Sequence, residues 1–487
     1  MDQREHRVLD AVPTGLFIGG EWRPAEQGGV FGVHDPSNGE LLTEVADATP
    51  ADGRAALDAA VAAQPSWART APRERGEILR RAFALLHERL DDLALLMTLE
   101  MGKPITESRG EIVYAAEFFR WFSEEAVRIH GDYRVAPAGD KRILTMQQPV
   151  GPCLLVTPWN FPMAMGTRKI GPAVAAGCTM VIKPASETPL SMLALASIMV
   201  EAGLPDGVLN VLTTHSSGAV MEPLIRDGRA RKLSFTGSTS VGRRLVEQSS
   251  EQLLRVSMEL GGNAPFLVFA DADLDAAVEG AVQAKMRNVG EACTAANRFL
   301  VADEVADQFA ERLAERLAAM RVGRGVDEDV QVGPVITEKA RAEILALVGD
   351  ATDRGARLLT GGSALDGPGF FVAPTVLADV PADARVGREE IFGPVAPVVR
   401  FSSEEEALAM ANGTEFGLIS YVFTHDLARG LRVSEALESG MVALNAGVIS
   451  NPAAPFGGVK ASGFGREGGR EGIAEYLETK YVGIGGL

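Results

Sequence analysis

Cys293 stands in Asn288-Val289-Gly290-Glu291-Ala292-Cys293-Thr294-Ala295-Ala296-Asn297-Arg298, and Glu259 precedes the Gly261-Gly262 pair earlier in the chain. A thiol flanked by small residues and a carboxylate held against a glycine turn are the minimum kit for covalent chemistry followed by hydrolysis. Cys153 and Cys178 lie in apolar runs, where a free cysteine packs as a small hydrophobe. Three cysteines without a CxxC argue for a reducing compartment and against a disulfide framework or a zinc site. The six histidines are scattered and none forms HExxH, so no metal is expected.

These groups need a scaffold. From Arg73 to Gly102 apolar residues recur at three and four, a pattern that predicts an amphipathic helix. Short β-rich runs at Leu154-Leu155-Val156, Met180-Val181-Ile182, Val208 to Leu212 and Leu233-Ser234-Phe235 alternate with helical stretches such as Ser191 to Ala202, the pattern of a largely parallel sheet. A second series begins at Pro265 to Phe269, continues with helices near 274–287 and 305–320, and closes near Met441 to Leu444. Two α/β domains joined near Gly261-Gly262 are the simplest reading. Phe235-Thr236-Gly237-Ser238-Thr239-Ser240-Val241-Gly242 ends a strand and opens a helix whose unpaired N–H groups suit a pyrophosphate, although Gly-Ser is also an ordinary turn and cap. Gly463-Phe464-Gly465-Arg466-Glu467-Gly468 matches GxGxxG but lies too near the C-terminus for the rest of a dinucleotide-binding βαβ unit.

Length and charge narrow the function. A chain of 487 residues has room for two or three cores. Its net charge of −18 would repel phosphate backbones and anionic membranes, so neither nucleic acid nor a membrane is an expected partner. Met1 to Gly20 carries Asp2, Glu5 and Asp10 with no long apolar run, which makes the cytoplasm the expected location.

Several blocks together resemble the aldehyde dehydrogenase superfamily: Thr157-Pro158-Trp159-Asn160-Phe161-Pro162, Lys183-Pro184-Ala185, Phe235-Thr236-Gly237-Ser238, Glu259-Leu260-Gly261-Gly262, Cys293, Glu390-Ile391-Phe392-Gly393-Pro394 and Pro455-Phe456-Gly457-Gly458. Runs such as Thr167-Arg168-Lys169, Lys232 to Ser238, Gly262 to Phe266 and Lys460-Ala461-Ser462-Gly463 resemble its succinate-semialdehyde branch. The resemblance implies an α/β fold with a Rossmann-like cofactor domain (1–130 and 150–260), an α/β catalytic domain (261–462) and a small β oligomerisation segment (131–149 and 463–487). A homodimer or homotetramer follows from the last part.

By the same resemblance, Cys293 adds to an aldehyde. Asn160 and the Cys293 N–H hold the resulting oxyanion, Glu259 activates water against the thioester, and Lys169 and Glu467 relay protons. Thr157, Pro158, Trp159, Lys183, Gly237, Ser238, Glu390 and Phe392 would bind the dinucleotide. Ser186 stands where a glutamate would repel a 2′-phosphate, so NADP is the expected cofactor, with NAD also accepted and Glu187 a counterweight. Arg168, Arg287 and Ser450 would hold a remote carboxylate, which makes succinate semialdehyde the expected substrate and glutarate semialdehyde or another ω-functional aldehyde the alternative. Each group also has a plainer reading: Asn160 as a turn cap, Glu259 as a carboxylate capping its Gly-Gly turn, the arginines as solvated helix charges. A cofactor-free thiol acyltransferase or hydrolase is the rival from another class, and would need a histidine beside Cys293. Two departures from the family pattern stand out. Glu291 replaces the usual glutamine, an extra carboxylate expected to raise the thiol pKa, and Ala295 removes the second cysteine that a local disulfide would need.

Overall fold

The computed structural model describes residues 1–486. Its first sheet has eight strands in the order Glu21–Arg23, Leu16–Ile18, Leu209–Val211, Met180–Lys183, Cys153–Val156, Lys232–Thr236, Arg255–Glu259, Gly463–Phe464. The five inner strands from Leu209–Val211 to Arg255–Glu259 run parallel, and both edges are antiparallel. Their side chains are almost wholly buried, as strands covered on both faces by helices require. The second sheet has seven strands, Arg357–Thr360, Thr375–Ala378, Val395–Phe401, Ala296–Ala302, Ala264–Val268, Ile419–Phe423 and Met441–Leu444, parallel except at the first edge. The chain passes from the first sheet to the second between Glu259 and Ala264, so the Gly261-Gly262 turn is the hinge between two separate cores.

A third sheet is antiparallel: Asp132–Val135, Lys141–Pro149 and the C-terminal strand Leu477–Gly485. The C-terminal segment joins it only at Leu477; residues 463–476 belong physically to the first sheet and its helices, and Gly463–Phe464 pairs with Met258 and Glu259. The GxGxxG sequence is thus an edge strand followed by a tight turn, with Gly463, Gly465 and Gly468 at φ 108°, 87° and 70°. Positive φ at each is why glycine recurs there.

The amphipathic stretch from Arg73 to Gly102 is two helices, Pro72–Glu88 and Leu90–Met101, broken where Arg89 takes φ −103°, ψ 16°. The first keeps one apolar face. The second is buried on all sides from Leu93 to Met101, a local burial that periodicity cannot report. Among the described residues no helix is long and apolar enough to cross a membrane, and no cluster of three His, Cys, Asp or Glu is placed to hold a metal.

Candidate active site

Cys293 lies between the helix Leu274–Met286 and the strand Ala296–Ala302. The connecting turn is bent hard: Asn288 has φ 54°, Val289 φ 59° and Gly290 φ 78°. A β-branched residue in the left-handed region is an outlier, and such strain is held only where the surroundings over-determine it. Two glycines let the site close. A Cβ on Gly262 would lie 2.7 Å from the Cys293 carbonyl oxygen, and one on Gly457 2.9 Å from Glu259 Oε1. Glu259 ends the strand Arg255–Glu259, so the sheet delivers its carboxylate to the hinge.

A cavity of about 230 Å³ brings together Asn160, Glu259, Cys293, Trp159, Glu390 and Phe392, with Pro158 and the Gly237-Ser238 turn also on its wall. Cys293 is partly exposed into it, whereas Cys153 and Cys178 are buried elsewhere, their thiols turned to the carbonyls of Gly151 and Tyr476. No histidine lines the cavity; His215 packs edge-on against Phe31 at 4.6 Å.

Burial dominates the electrostatics. It pushes the Cys293 thiol up to about 12; Arg168 and Arg287 pull it down, Glu259 and Glu390 push it further up. The Glu291 carboxyl is not among these groups. It turns away, Oε1 accepting the Ile336 N–H at 3.0 Å, while the Glu291 carbonyl accepts the Asn160 side-chain amide at 2.9 Å. The expectation that Glu291 raises the thiol pKa therefore fails: side-chain direction, which the sequence does not show, takes the carboxyl elsewhere, and burial there holds it well above the usual carboxylate range. Glu259 is itself held well above the usual carboxylate range by burial and by the nearby Glu467, against the pull of Arg168 and Lys169, and neither of its oxygens has a hydrogen-bond partner.

Glu467 comes from the tight turn after Gly463–Phe464. It is 4% exposed and pairs with Arg168 Nη2 at 2.7 Å and with Lys169 Nζ. Burial raises its pKa, but the two cations outweigh that and hold it below the ordinary value. Lys169 also donates to Ser234 Oγ at 2.9 Å.

On the nucleotide side the residues fit a dinucleotide. Glu390 accepts the Gly262 N–H at 2.9 Å, and Phe392, at φ 51°, meets Trp159 edge-on at 5.5 Å. The helix Thr239–Ser249 starts without a side-chain cap, which leaves its first N–H groups for an anion. The buried hydroxyls of Thr157 and Thr236 have no partner. Lys183 and Ser186 lie outside the thiol cavity. Lys183, lowered to about 8 by burial, donates to Ser217 at 2.8 Å, and Ser186 donates to Glu187 Oε2 at 3.1 Å beside a separate cavity of about 490 Å³. The Ser186 hydroxyl thus already has an acidic acceptor.

On the other side of the thiol loop, Ala292 and Thr294 line a narrow cleft with Arg287 and Ser450. Arg287 donates to Ser450 Oγ at 3.3 Å and lies over the rings of Phe161 and Tyr114 at 5.0 and 5.7 Å. Arg168 lies over Phe456 at 4.0 Å, ion-paired to Glu467 but with Nε unpartnered. Sequence reasoning missed a set around Asn160, namely the buried Lys103, Glu111 and Asn288 and the half-buried Glu107. A lysine in the link before a helix and two glutamates in its first turns look like surface charges, and no pattern in the chain marks them otherwise.

Residues 22–482 match the model of the aldehyde dehydrogenase family. The chain is 61% identical over 444 residues to a succinate-semialdehyde dehydrogenase of Paenarthrobacter nicotinovorans, covering 91% of this chain and 99% of the relative. It is 52% identical to a glutarate-semialdehyde dehydrogenase of Pseudomonas putida, with 96% and 97% covered. The crystal structure of an E. coli NADP-dependent enzyme superposes with a TM-score of 0.96 at 52% identity, covering 98% of this chain and 99% of the other. With its two α/β cores, its thiol at their junction and this likeness over nearly the whole length, the chain belongs to the aldehyde dehydrogenase family.

Proposed function

We propose that this chain oxidises succinate semialdehyde to succinate with NADP, NAD also serving. The observation that carries the reading is the placement of the Cys293 loop, with the cavity of Glu390 and Phe392 on one side and the cleft of Arg287 and Ser450 on the other. An aldehyde carbon at the thiol would have a dinucleotide on one side and its far carboxylate near a guanidinium fork on the other.

The residues then divide the work. Arg287 and Ser450, with Arg168 Nε, orient the carboxylate. The Cys293 thiol gives up its proton to solvent and its sulfur bonds to the aldehyde carbon. The new alkoxide takes hydrogen bonds from the second Asn160 amide hydrogen, the first being held by the Glu291 carbonyl, and from the Cys293 N–H. NADP would be held by Glu390, Phe392, Lys183, Thr157, Pro158, Trp159, Gly237, Ser238 and Ser186, and would supply the acceptor for the hydride whose loss turns the alkoxide into a thioester. Glu259 takes a proton from water as its oxygen attacks the thioester carbon, the sulfur leaves as the thiolate, and the carboxylic acid is released. Lys169 and Glu467, one buried ion pair away, carry that proton off Glu259.

Glutarate semialdehyde is the second reading, favoured by the Pseudomonas putida relative. One methylene changes discrimination by only about 1–3 kcal/mol, so the same site can serve both. A cofactor-free acyl transfer loses its support, since no histidine faces the thiol. The three-stranded sheet exposes Tyr133, Val135 and Tyr481, a surface suited to a second copy, which supports a homodimer or homotetramer. Comparing kcat/KM for succinate semialdehyde, glutarate semialdehyde and butanal with each nucleotide tests the reading. A preference for butanal would refute it.

A further inference from the structure

Asn160 is fixed by side chains distant from it in sequence. Two donors converge on its carbonyl oxygen, Lys103 Nζ at 2.7 Å and Asn288 Nδ2 at 2.9 Å. The same Asn288 amide reaches the Glu291 carbonyl at 2.9 Å, and that carbonyl also accepts the Asn160 side-chain amide at 2.9 Å. Asn288 therefore ties the backbone that carries Asn160 to the backbone that carries Cys293.

This bridge is itself braced by the helix Ile105–Glu125. Glu107 Oε2 accepts the Asn288 N–H at 2.6 Å. Glu111 pairs with Lys103 at 2.6 Å through one oxygen, and through the other accepts the N–H groups of Met163 and Ala164 at 3.0 and 3.1 Å. Lys103, 1% exposed, also lies over the Phe161 ring at 4.2 Å. None of these four residues lines the cavity at the thiol.

A buried ion pair is a poor source of stability, because desolvation offsets most of the attraction. A left-handed turn containing valine adds a further cost. What the arrangement does provide is geometry. With two donors on the Asn160 carbonyl and two on the Glu291 carbonyl, the Asn160 peptide cannot rotate, and one amide hydrogen is held while the other keeps a fixed direction. We infer that Lys103 and Asn288 are positioning residues that aim the Asn160 amide at the oxyanion formed on Cys293. This inference rests on the reading of Asn160 as an oxyanion donor.

A double-mutant cycle tests it. Asn288→Gly keeps the positive φ and removes the bridge; Lys103→Gln removes the charge that braces it. Rates are taken per mole of NADP-binding sites, from fluorescence titration, so that misfolded protein does not count. Each variant should lower kcat about 100-fold, as misplacement of a catalytic group does, with KM unchanged. In an Asn160→Ala background the same substitutions should have no further effect, because the group they aim is gone. Asn160→Ala alone should cost about 100- to 1,000-fold in kcat, and a negligible loss would sink the oxyanion reading itself. A large loss from Asn160→Ala, with the losses from Asn288→Gly or Lys103→Gln multiplying onto it in full, would leave that reading intact and overturn the positioning role. If Asn288→Gly fails to fold, the Lys103→Gln cycle decides.

Discussion

Replacing Arg287 by alanine should separate substrates by their charge. Arg287 has only a long contact of 3.3 Å to Ser450 and two aromatic faces beside it, so its remaining donors are available to a ligand. Two charge-assisted hydrogen bonds to a carboxylate, at about 1.5 kcal/mol each from the low end of the range, amount to about 3 kcal/mol. At 1.36 kcal/mol per decade this is about a 150-fold fall in kcat/KM for succinate semialdehyde. Butanal has the same chain length without the carboxylate, and loses only the packing of the guanidinium on Phe161 and Tyr114, about 0.5–1 kcal/mol. Arg287→Lys should fall between, since an ammonium keeps the charge and loses the fork. Initial rates of NADPH formation with the two aldehydes measure all of this. Equal losses for both would show that Arg287 does not recognise the carboxylate.

Glu259→Gln should leave the first turnover and slow hydrolysis of the thioester by about 100- to 10,000-fold, seen as one NADPH per site followed by a slow phase; loss of the burst would contradict the assignment. Burial holds Glu259 above the usual range, and its basic form gains population as pH rises, so wild-type turnover should climb from neutral into alkaline pH; a flat profile would argue against Glu259 as the base. Glu187→Gln should raise the NADP to NAD ratio of kcat/KM, because it removes the carboxylate that accepts from Ser186 and faces an incoming 2′-phosphate; an unchanged ratio would place the 2′-position elsewhere. Glu467→Gln strands two buried cations, Arg168 and Lys169, and should destabilise the fold by about 3–5 kcal/mol in denaturant unfolding, far more than a surface pair would.

Much of the fold could be read from the chain because the inner strands are short, rich in apolar residues and set between helical runs. Leu233–Phe235 and Met180–Ile182 fall within observed strands for that reason. What could not be read is direction. Glu291 turns its carboxyl to Ile336, and Ser186 turns its hydroxyl to Glu187; each reverses or complicates an argument made from residue type alone. The helix boundary at Arg89, half-buried between the exposed Glu88 and Asp91, is equally hidden, since no glycine or proline marks it. The residues bracing Asn160 lie 57 and 128 positions from it, a separation at which only the folded chain makes them neighbours.

The most direct test captures the covalent intermediate. Glu259→Gln enzyme mixed with NADP and succinate semialdehyde, quenched in acid and digested with trypsin, should carry one succinyl group on the peptide from Asn288 to Arg298, which contains Cys293. The adduct should be absent without nucleotide and absent when Cys293 is replaced by serine. A succinyl group on another residue, or full aldehyde oxidation by Cys293→Ser, would contradict the account.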